Sequence, residues 1–306
     1  GVFHALEIER LFNSAGPTGG KVVLRDMKTA PRGVAILHCI GSRDKNNFEY
    51  CSRVCCMYSL KFAHLLKEKT EASVYQLYID IRAPGKAYEE FYARLLEEDV
   101  KFIRGKAARV TANKENPEEA GQLIVEVDDT LSGQFMRIPV DMVVLSPAMK
   151  PRHDSKEVAR ILNLSTDKYG FFMERHPKLA PLSTMTDGVF IAGACQFPKD
   201  IPDTVSQALG AAAEALTIVT KEKMELEAAT AVVNPAACSG CMNCVRVCPY
   251  GAPQMNVEKG VSEINEALCK GCGLCAASCP TSAIIARHFA NDQIMAEMEG
   301  LMEMEM

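Results

Sequence analysis

The sequence predicts an α/β protein that ends in a smaller, cysteine-rich α+β module. Two observations support this fold class. Between residues 34 and 145, apolar runs of strand length alternate with helix-like runs and finish in a β-meander, an order typical of a nucleotide-binding α/β domain. Near the C-terminus, eight of the thirteen cysteines fall into two copies of one spacing. A chain of 306 residues is long enough for two or three domains.

The elements of the first region follow from its apolar runs. Residues 2–12 look helical, and the glycine-rich residues 13–20 indicate a plain loop. A phosphate-binding loop is the less favoured interpretation, because no strand precedes this segment and no Lys-Ser or Lys-Thr pair follows it. The remaining elements are strand 34–38, helix 52–69, strand 73–79, helix 88–98, strand 100–103, meander strands 106–111 and 123–127 with a turn at 130–133, and strand 141–145.

The second region is predicted in the same way. Its elements are a short helix at 157–162, a strand at 188–193, an alanine-rich helix at 203–220, a link at 228–235 and an acidic, methionine-rich tail at 291–306. Asp203 or Thr204 would cap the long helix at its N-terminus. A helical tail would gather Ile294, Met295, Met298, Leu301 and Met302 near one face, which suits either partner docking or a frayed terminus.

Two cysteine runs carry the clearest chemical signal. They read Cys238-Ser-Gly-Cys241-Met-Asn-Cys244-Val-Arg-Val-Cys248-Pro249 and Cys269-Lys-Gly-Cys272-Gly-Leu-Cys275-Ala-Ala-Ser-Cys279-Pro280. This is the spacing of two-cluster ferredoxins, in which the fourth cysteine of each run binds the other cluster. The prediction is one 4Fe–4S cluster on Cys238, Cys241, Cys244 and Cys279, and a second on Cys269, Cys272, Cys275 and Cys248. Zinc ribbons have two C-x2-C knuckles instead of such triplets.

Four further cysteines, Cys39, Cys51, Cys55 and Cys56, surround the first strand-to-helix connection. In a dinucleotide-binding domain this turn carries G-x-G-x-x-G and holds the pyrophosphate, whereas here four thiols stand in its place. A third metal cluster is one interpretation. The other is a vicinal redox pair at Cys55 and Cys56 with Cys39 as a core residue, since free cysteine is often buried.

Composition narrows the class of protein. The net charge is −5 and no basic block is present, which argues against nucleic-acid binding. No apolar run reaches the length of a membrane span, about 18 residues. Thirteen cysteines without a secretory signal indicate a reducing, cytoplasmic setting. The six histidines are scattered and are expected to be structural. The missing initiator methionine suggests the C-terminal part of a longer protein.

With these residues in place, the chain resembles the A subunit of heterodisulfide reductase, the flavin- and iron–sulfur-containing subunit of methanogens and related anaerobes. The resemblance covers about residues 1–290. Its most specific stretches are Cys-Cys-Met-Tyr at 55–58 and Pro-Lys-Asp-Ile-Pro-Asp at 198–203. Further matching stretches lie at 14–20, 39–44, 50–58, 79–82, 89–92, 102–105, 176–181 and 189–205.

The resemblance implies partial thioredoxin-reductase-like FAD/NAD-type domains, with the flavin domain split by a nicotinamide-domain-like insert. The implied domains are 1–30 (start of the flavin domain), 31–146 (insert), 147–228 (C-terminal half of the FAD domain), 229–290 (ferredoxin domain) and 291–306 (tail). By the same resemblance, Cys39, Cys51, Cys55 and Cys56 hold a 4Fe–4S cluster in the insert, giving three clusters in all. The family's N-terminal half, with its G-x-G-x-x-G, is not in this chain, so FAD is expected to bind weakly or only together with that half.

FAD contacts are implied at Gly193, Ala194, Lys199, Asp203, Thr204 and Gln207. Ala194 stands where ordinary flavin reductases place an aspartate that bonds the ribitol. Lys199 is the candidate catalytic residue, because a cation beside the isoalloxazine ring stabilises anionic reduced flavin. The alternative for Lys199 is an ordinary surface lysine.

The implied function is an electron-transfer role in FAD-based electron bifurcation, as one subunit of a larger complex. Electrons would come from a hydrogenase or formate dehydrogenase through its small iron–sulfur subunit. They would leave to ferredoxin and, through subunits B and C, to the heterodisulfide of coenzymes M and B. A homodimer within a larger complex is expected. No CCG motif is present, so the disulfide chemistry falls to a partner.

Three alternatives stay open. The first is a related complex in a sulfate reducer or an acetogen. The second is a passive iron–sulfur relay without a functional flavin. The third is a pyridine-nucleotide enzyme resembling the small subunit of glutamate synthase, which the absence of G-x-G-x-x-G argues against.

Overall fold

The computed structural model describes residues 1–112, 121–221 and 228–304. Two compact units account for the chain. The first comprises Gly1–Lys150 with Pro198–Ile201, and the second comprises Pro151–Phe197 with Pro202–Met306. Within the described segments, no helix combines the length and the apolar character that crossing a bilayer requires. The division into five domains, which is finer than these two units, stays a prediction.

A five-stranded parallel sheet forms the centre of the first unit, and its strands run in the order β1-β8-β2-β3-β4. The sheet strands are β1 (Val2–His4), β2 (Gly33–Ile40), β3 (Ser73–Tyr78), β4 (Lys101–Arg104) and β8 (Met142–Pro147). Successive side chains of a strand point to opposite faces. Accordingly, Val34 and Ile36 of β2 enter one core and Ala35 and Leu37 enter another.

The two faces of this sheet are covered differently. Three helices supply apolar residues to the core on one face: α1 (Ala5–Phe12), α2 (Cys55–Lys69) and α3 (Tyr88–Glu97). The antiparallel meander, β5 (Ala107–Ala112), β6 (Leu123–Asp129) and β7 (Gln134–Val140), covers the other. A parallel sheet needs cover on both faces, because its strands are apolar throughout. The predicted α/β class is confirmed.

The prediction of a helix from residue 2 is wrong at its start. Residues Val2–His4 form the edge strand β1, paired in parallel with β8, and the helix begins at Ala5. A capping box fixes the N-terminus of the helix there. The Nδ1 of His4 accepts the Leu6 N–H, and Glu7 accepts the His4 N–H at 2.7 Å. A three-residue edge strand is too short to show a period of two.

The second unit contains few regular elements before its cysteine module. They are α4 (Ser155–Leu162), a 3-10 turn at Gly193–Cys195 and α5 (Ile201–Val219). The predicted strand at 188–193 is wrong, since only an isolated bridge joins Phe190 to Ser183. An apolar run becomes a strand only where a neighbour pairs along it. The long helix begins two residues earlier than predicted, so Asp203 lies in its first turn rather than at its N-cap.

The cysteine module is built from short pieces. They are β9 (Ala231–Val233), α6 (Asn243–Val247), β10 (Pro253–Asn256), β11 (Val261–Ile264), α7 (Leu274–Ala277), β12 (Ile284–Ala286) and the exposed α8 (Asn291–Met304). Strands β10 and β11 form a hairpin between the two cysteine runs, and β9 pairs antiparallel with β12. Three of the six residues of its buried core are themselves cysteines.

Candidate iron–sulfur and flavin sites

Two small cavities of similar size lie inside the module. Their linings sort the eight cysteines into two sets of four. The first cavity is lined by Cys238, Cys241, Cys244 and Cys279, and the second by Cys248, Cys269, Cys272 and Cys275. Each cavity thus receives three cysteines from one run and the fourth from the other. The structure brings together the two sets that the crossed pattern predicts.

A glycine inside each ligand loop lets the chain turn tightly enough to place the thiols. Gly240 and Gly271, the second spacer residues of the two runs, have positive φ angles of 68° and 62°. A Cβ at Gly240 would lie 2.7 Å from the carbonyl oxygen of Gly260, and one at Gly271 would lie 2.0 Å from that of Ala229. Any side chain at either position would therefore collide with backbone. Glycine before the second cysteine of each run is therefore required on steric grounds.

Backbone N–H groups point at sulfur in both cavities. The N–H of Ala283 lies 3.3 Å from Cys279 Sγ in the first, and the N–H of Ala231 lies 3.3 Å from Cys269 Sγ in the second. Although burial opposes it, hydrogen bonds from Thr281 and nearby backbone lower the pKa of Cys279. Burial and the neighbouring Cys269 raise the pKa of Cys275. Iron bound to a buried thiol would offset that cost, because a coordinating thiol is deprotonated outright.

The second group of cysteines gathers at the end of β2. Cys39 has a positive φ of 56°, and the pairing of β2 with β8 slips between Leu37 and Ile40. Such a conformation is uncommon for a residue other than glycine, and it is often found at functional sites. Cys55 and Cys56 open α2, and both are buried. Cys39, Cys55 and Cys56 lie near enough to one another for each to affect the pKa of its neighbours.

Cys51 is the most accessible of this group. Its sulfur accepts the backbone N–H of Arg53 at 3.3 Å, and Arg43 interacts electrostatically with both Cys39 and Cys51. Its loop is fixed at both sides, since the hydroxyl of Tyr50 donates to Met149 O and the Met149 N–H donates to Ser52 Oγ. Arg43 in turn forms an ion pair of 2.7 Å with Asp80. The structure thus places all four predicted cysteines in one neighbourhood.

The three buried thiols affect one another's ionisation. Interaction with Cys55 lowers the pKa of Cys39 and of Cys56, and interaction with those two thiols, together with burial, raises the pKa of Cys55. Within the described residues, no three His, Cys, Asp or Glu side chains lie close enough to share a single metal ion. A cubane spreads its four thiolates over four separate irons, so it suits thiols that stand further apart.

Sequence reasoning missed a buried polar network behind these thiols. Nε2 of the buried His38 is hydrogen-bonded to Oε1 of Gln76, and the histidine lowers the pKa of Cys56. Gln76 is fully buried, and its amide nitrogen donates to Ser59 O at 2.8 Å. The signal in the sequence was a glutamine inside the otherwise apolar strand β3. Buried polar groups of this kind need partners, and here they fix the ring of the histidine that precedes Cys39.

The residues predicted to contact FAD are only partly brought together. The N–H of Gly193 donates to Gln207 Oε1 at 2.8 Å, and a Cβ at Gly193 would lie 2.9 Å from Thr204 Cγ2. Ala194 is in the same 3-10 turn, and Asp203 lies in the first turn of α5. Lys199 belongs to the segment Pro198–Ile201, which groups with the first unit. The close approach at Gly193 therefore serves packing against α5, and FAD contact at these residues stays a prediction.

Comparison with known proteins agrees with the chemistry of the module. Residues 230–280 match the family model of the 4Fe-4S dicluster domain, which confirms the predicted two-cluster ferredoxin-like module.

Curated relatives extend the match to most of the chain. It is 44% identical over 259 residues to the second iron-sulfur A subunit of CoB–CoM heterodisulfide reductase from Methanopyrus kandleri, covering 83% of this chain and 39% of that protein. It is 46% identical over 256 residues to the A subunit of H(2):CoB-CoM heterodisulfide,ferredoxin reductase from Methanothermobacter thermautotrophicus, covering 82% and 38%. The corresponding protein of Methanocaldococcus jannaschii is 46% identical over 254 residues, covering 82% and 38%. The chain thus spans well under half the length of these relatives.

Solved structures show weaker likeness. Thioredoxin reductase of T. acidophilum matches with a TM-score of 0.43 and 14% identity, covering 62% of this chain and 53% of that one. Thioredoxin reductase of Lactococcus lactis matches with a TM-score of 0.41 and 16% identity, covering 61% and 53%.

Proposed function

The chain is a partial protein of the type of the heterodisulfide reductase A subunit, and from this premise we propose that it serves in iron–sulfur electron transfer. The observation that carries the proposal is the sorting of eight cysteines into two cavities of four, with the fourth thiol exchanged between runs. That arrangement suits two 4Fe–4S clusters held side by side in one small module. Bound clusters would supply one-electron steps.

The residues of the module have separable tasks in this proposal. The thiolates of each set hold the irons, and Gly240 and Gly271 let both loops turn without touching the neighbouring backbone. The N–H groups of Ala231 and Ala283 direct positive dipole ends at sulfur. Hydrogen bonds to sulfur and exclusion of solvent are among the factors that set cluster potentials. The module would therefore fix the potentials as well as the positions of its clusters.

A third 4Fe–4S cluster is proposed on Cys39, Cys51, Cys55 and Cys56. The proximity of Cys39, Cys55 and Cys56 supports it, as does the left-handed conformation of Cys39. Arg43 and the N-terminal amides of α2 supply positive potential for an anionic, thiolate-bound cluster. The vicinal redox pair, Cys55 with Cys56, is the alternative that the same contacts allow.

The finer proposal concerns FAD and the partners. FAD-based bifurcation would divide electrons between ferredoxin and the CoB–CoM heterodisulfide, with subunits B and C and the small iron–sulfur subunit of a hydrogenase or formate dehydrogenase as partners, in a homodimeric complex. The names of the relatives support these classes, since they include H(2), formate, ferredoxin and the heterodisulfide. Gly193, Ala194, Lys199, Asp203, Thr204 and Gln207 are the proposed flavin contacts.

A relay without a functional flavin is the second candidate. Helix α5, which would carry three of the proposed flavin contacts, has no buried residue, and Leu209 on it is 69% exposed. A helix that is this apolar and this exposed normally packs against something. The flavin site is therefore proposed to be complete only when further polypeptide covers α5, and this chain alone would act as a relay.

Anaerobic quantitation of iron, sulfide and flavin tests these proposals. We expect about twelve irons per chain, four for each cubane, and little FAD. The variant C51S should lose about four irons, whereas C195S, which changes an exposed cysteine outside the three proposed sets, should lose none. About eight irons in both wild type and C51S would overturn the third cluster. Fewer than eight in wild type would contradict the module proposal itself.

A further inference from the structure

The two cysteine runs place different residues at one matched position. The residue after the first cysteine is Ser239 in one run and Lys270 in the other. Each lines the cavity of its own run, Ser239 in the first and Lys270 in the second. Among the described residues, Lys270 is the single charged side chain in the second lining, and the first lining has none.

An ion-pair network fixes Lys270 beside its cavity. The ammonium group pairs with Asp187, whose other carboxylate oxygen pairs with Arg175. Lys270 keeps only 30% of its side-chain surface exposed, and Arg175 is anchored further by its Nε, which donates to Thr184 O at 3.0 Å. Two cations share one carboxylate, so these three residues carry a net charge of about +1 in a place that solvent screens only partly.

Two further carboxylates lie near this network but outside the second cysteine cavity. Glu214 and Glu266 line a larger cavity of ≈ 570 Å³ that also touches Lys270 and Cys269. Glu214 accepts a hydrogen bond from Ser183, and Glu266 is paired with Arg287 at 2.8 Å. Neither carboxylate lines the cavity of the second cysteine set. Lys270 is therefore the charge that distinguishes the two cluster sites.

We propose that Lys270, positioned by Asp187, raises the reduction potential of the second cluster above that of the first. The inference rests on the proposed function, since it needs both clusters. Adding one electron makes a cluster more negative, and a fixed cation nearby favours that reduced form. Each site has one backbone N–H on sulfur, and the first site also has the hydroxyls of Ser262 and Thr281 beside the sulfurs of Cys244 and Cys279. The gradient directs electrons from the first cluster to the second, which is the one beside the larger cavity.

Anaerobic redox titration of the full chain, followed by electron paramagnetic resonance, tests the inference. K270S should move one reduction step to more negative potential, by at least about tenfold in the reduction equilibrium, which is about 59 mV for one electron. S239K should move a different step to more positive potential. D187N should move the reduction step that K270S affects to more positive potential, because it removes the negative charge that partly compensates Lys270. K270R should restore a potential close to that of wild type.

The outcomes separate the inference from the proposal beneath it. Iron and sulfide counts equal to wild type in every variant would show that charge, and not cluster loss, is being measured. Two ferredoxin-type steps that neither K270S nor S239K moves would overturn the inference and leave the proposed function standing. A reconstituted wild-type chain without two such steps would overturn the proposed function and the inference together.

Discussion

The backbone N–H of Gly193 donates to Oε1 of Gln207 at 2.8 Å, which ties the 3-10 turn to the first turns of α5. The contact depends on a missing side chain, because a Cβ at Gly193 would lie 2.9 Å from Thr204 Cγ2. The turn and the helix together carry five of the six proposed flavin contacts. The geometry of the turn can be tested on the protein without bound flavin.

G193A should destabilise this region more than G188A does. Both glycines have similar positive φ angles, 74° and 76°, but nothing lies within 4 Å of a Cβ at Gly188. G188A should cost about 1–2 kcal/mol for the backbone alone, and G193A about 1–3 kcal/mol more for the collision. Hydrogen exchange of the α5 amides would measure both. Equal losses would show that the close approach at Thr204 is not rigid.

Paired substitutions should reveal the crossed assignment of the fourth cysteines. C241S and C279S remove thiols from the same cavity, so the double variant should lose the iron of one cluster, about four atoms. C241S with C248S removes thiols from different cavities and should lose about eight. Anaerobic iron analysis distinguishes the two. If C241S with C248S lost only one cluster, each run would bind its own cubane and the crossed pattern would be wrong.

Removing iron should unfold the module and spare the sheet of the first unit. The buried core of the module consists of Cys244, Cys269 and Cys275 with only three other residues, Ala231, Ala252 and Ile284. Without iron, that core is too small to repay the entropy of ordering the loops. The first unit has two apolar cores of its own. After anaerobic chelation, hydrogen exchange should rise to near-complete within 229–290 and stay slow in β2 and β3. Protection that persists in β10 and β11 would contradict this.

D141N should weaken the first unit in a pH-dependent way. Burial raises the pKa of Asp141, but hydrogen bonds from the Arg32 N–H and from Gln122 outweigh burial and hold that pKa below its ordinary value of 3.8. A carboxylate with a lowered pKa stabilises the fold above its ordinary pKa, and that contribution is lost as the pH falls through the folded-state value. The deficit of D141N should be about 1.5 kcal/mol near neutral pH and should shrink near pH 3.

Urea unfolding followed by circular dichroism would measure this difference at both pH values. D128N is the matched control, because it removes an exposed carboxylate from β6. It should show almost no deficit at either pH. A D141N deficit that does not change with pH would mean that shape, and not charge, holds residues 32 and 33 against β8.

The sequence predicted best where chemistry is local. The spacing of Cys238, Cys241 and Cys244 places three thiols on one loop. Pro280 turns the chain away directly after Cys279, the fourth thiol of the set. The long helix α2 and the apolar strand β2 were likewise found near their true positions. In these cases the information lies within a few neighbouring residues.

Sequence reasoning failed where distant segments decide. The run 188–193 is as apolar as a strand, yet the described chain supplies only one bridge to pair with it. The edge strand β1 exists because β8 lies beside it. Neither the left-handed Cys39 nor the pairing of Lys270 with Asp187 leaves a mark in the local pattern. Each depends on backbone and side chains that meet only after folding.

The pairing of β9 with β12 brings the two ends of the cysteine module together. Ala231 lies opposite Ala286, and the Arg287 N–H donates to Thr230 O at 2.9 Å, so the chain enters and leaves the module side by side. A segment with adjoining ends can be inserted or removed while the host backbone closes over a short gap. The module could thus be spliced into a surface loop of another redox protein, where it would lose the pairing of Lys270 with Asp187.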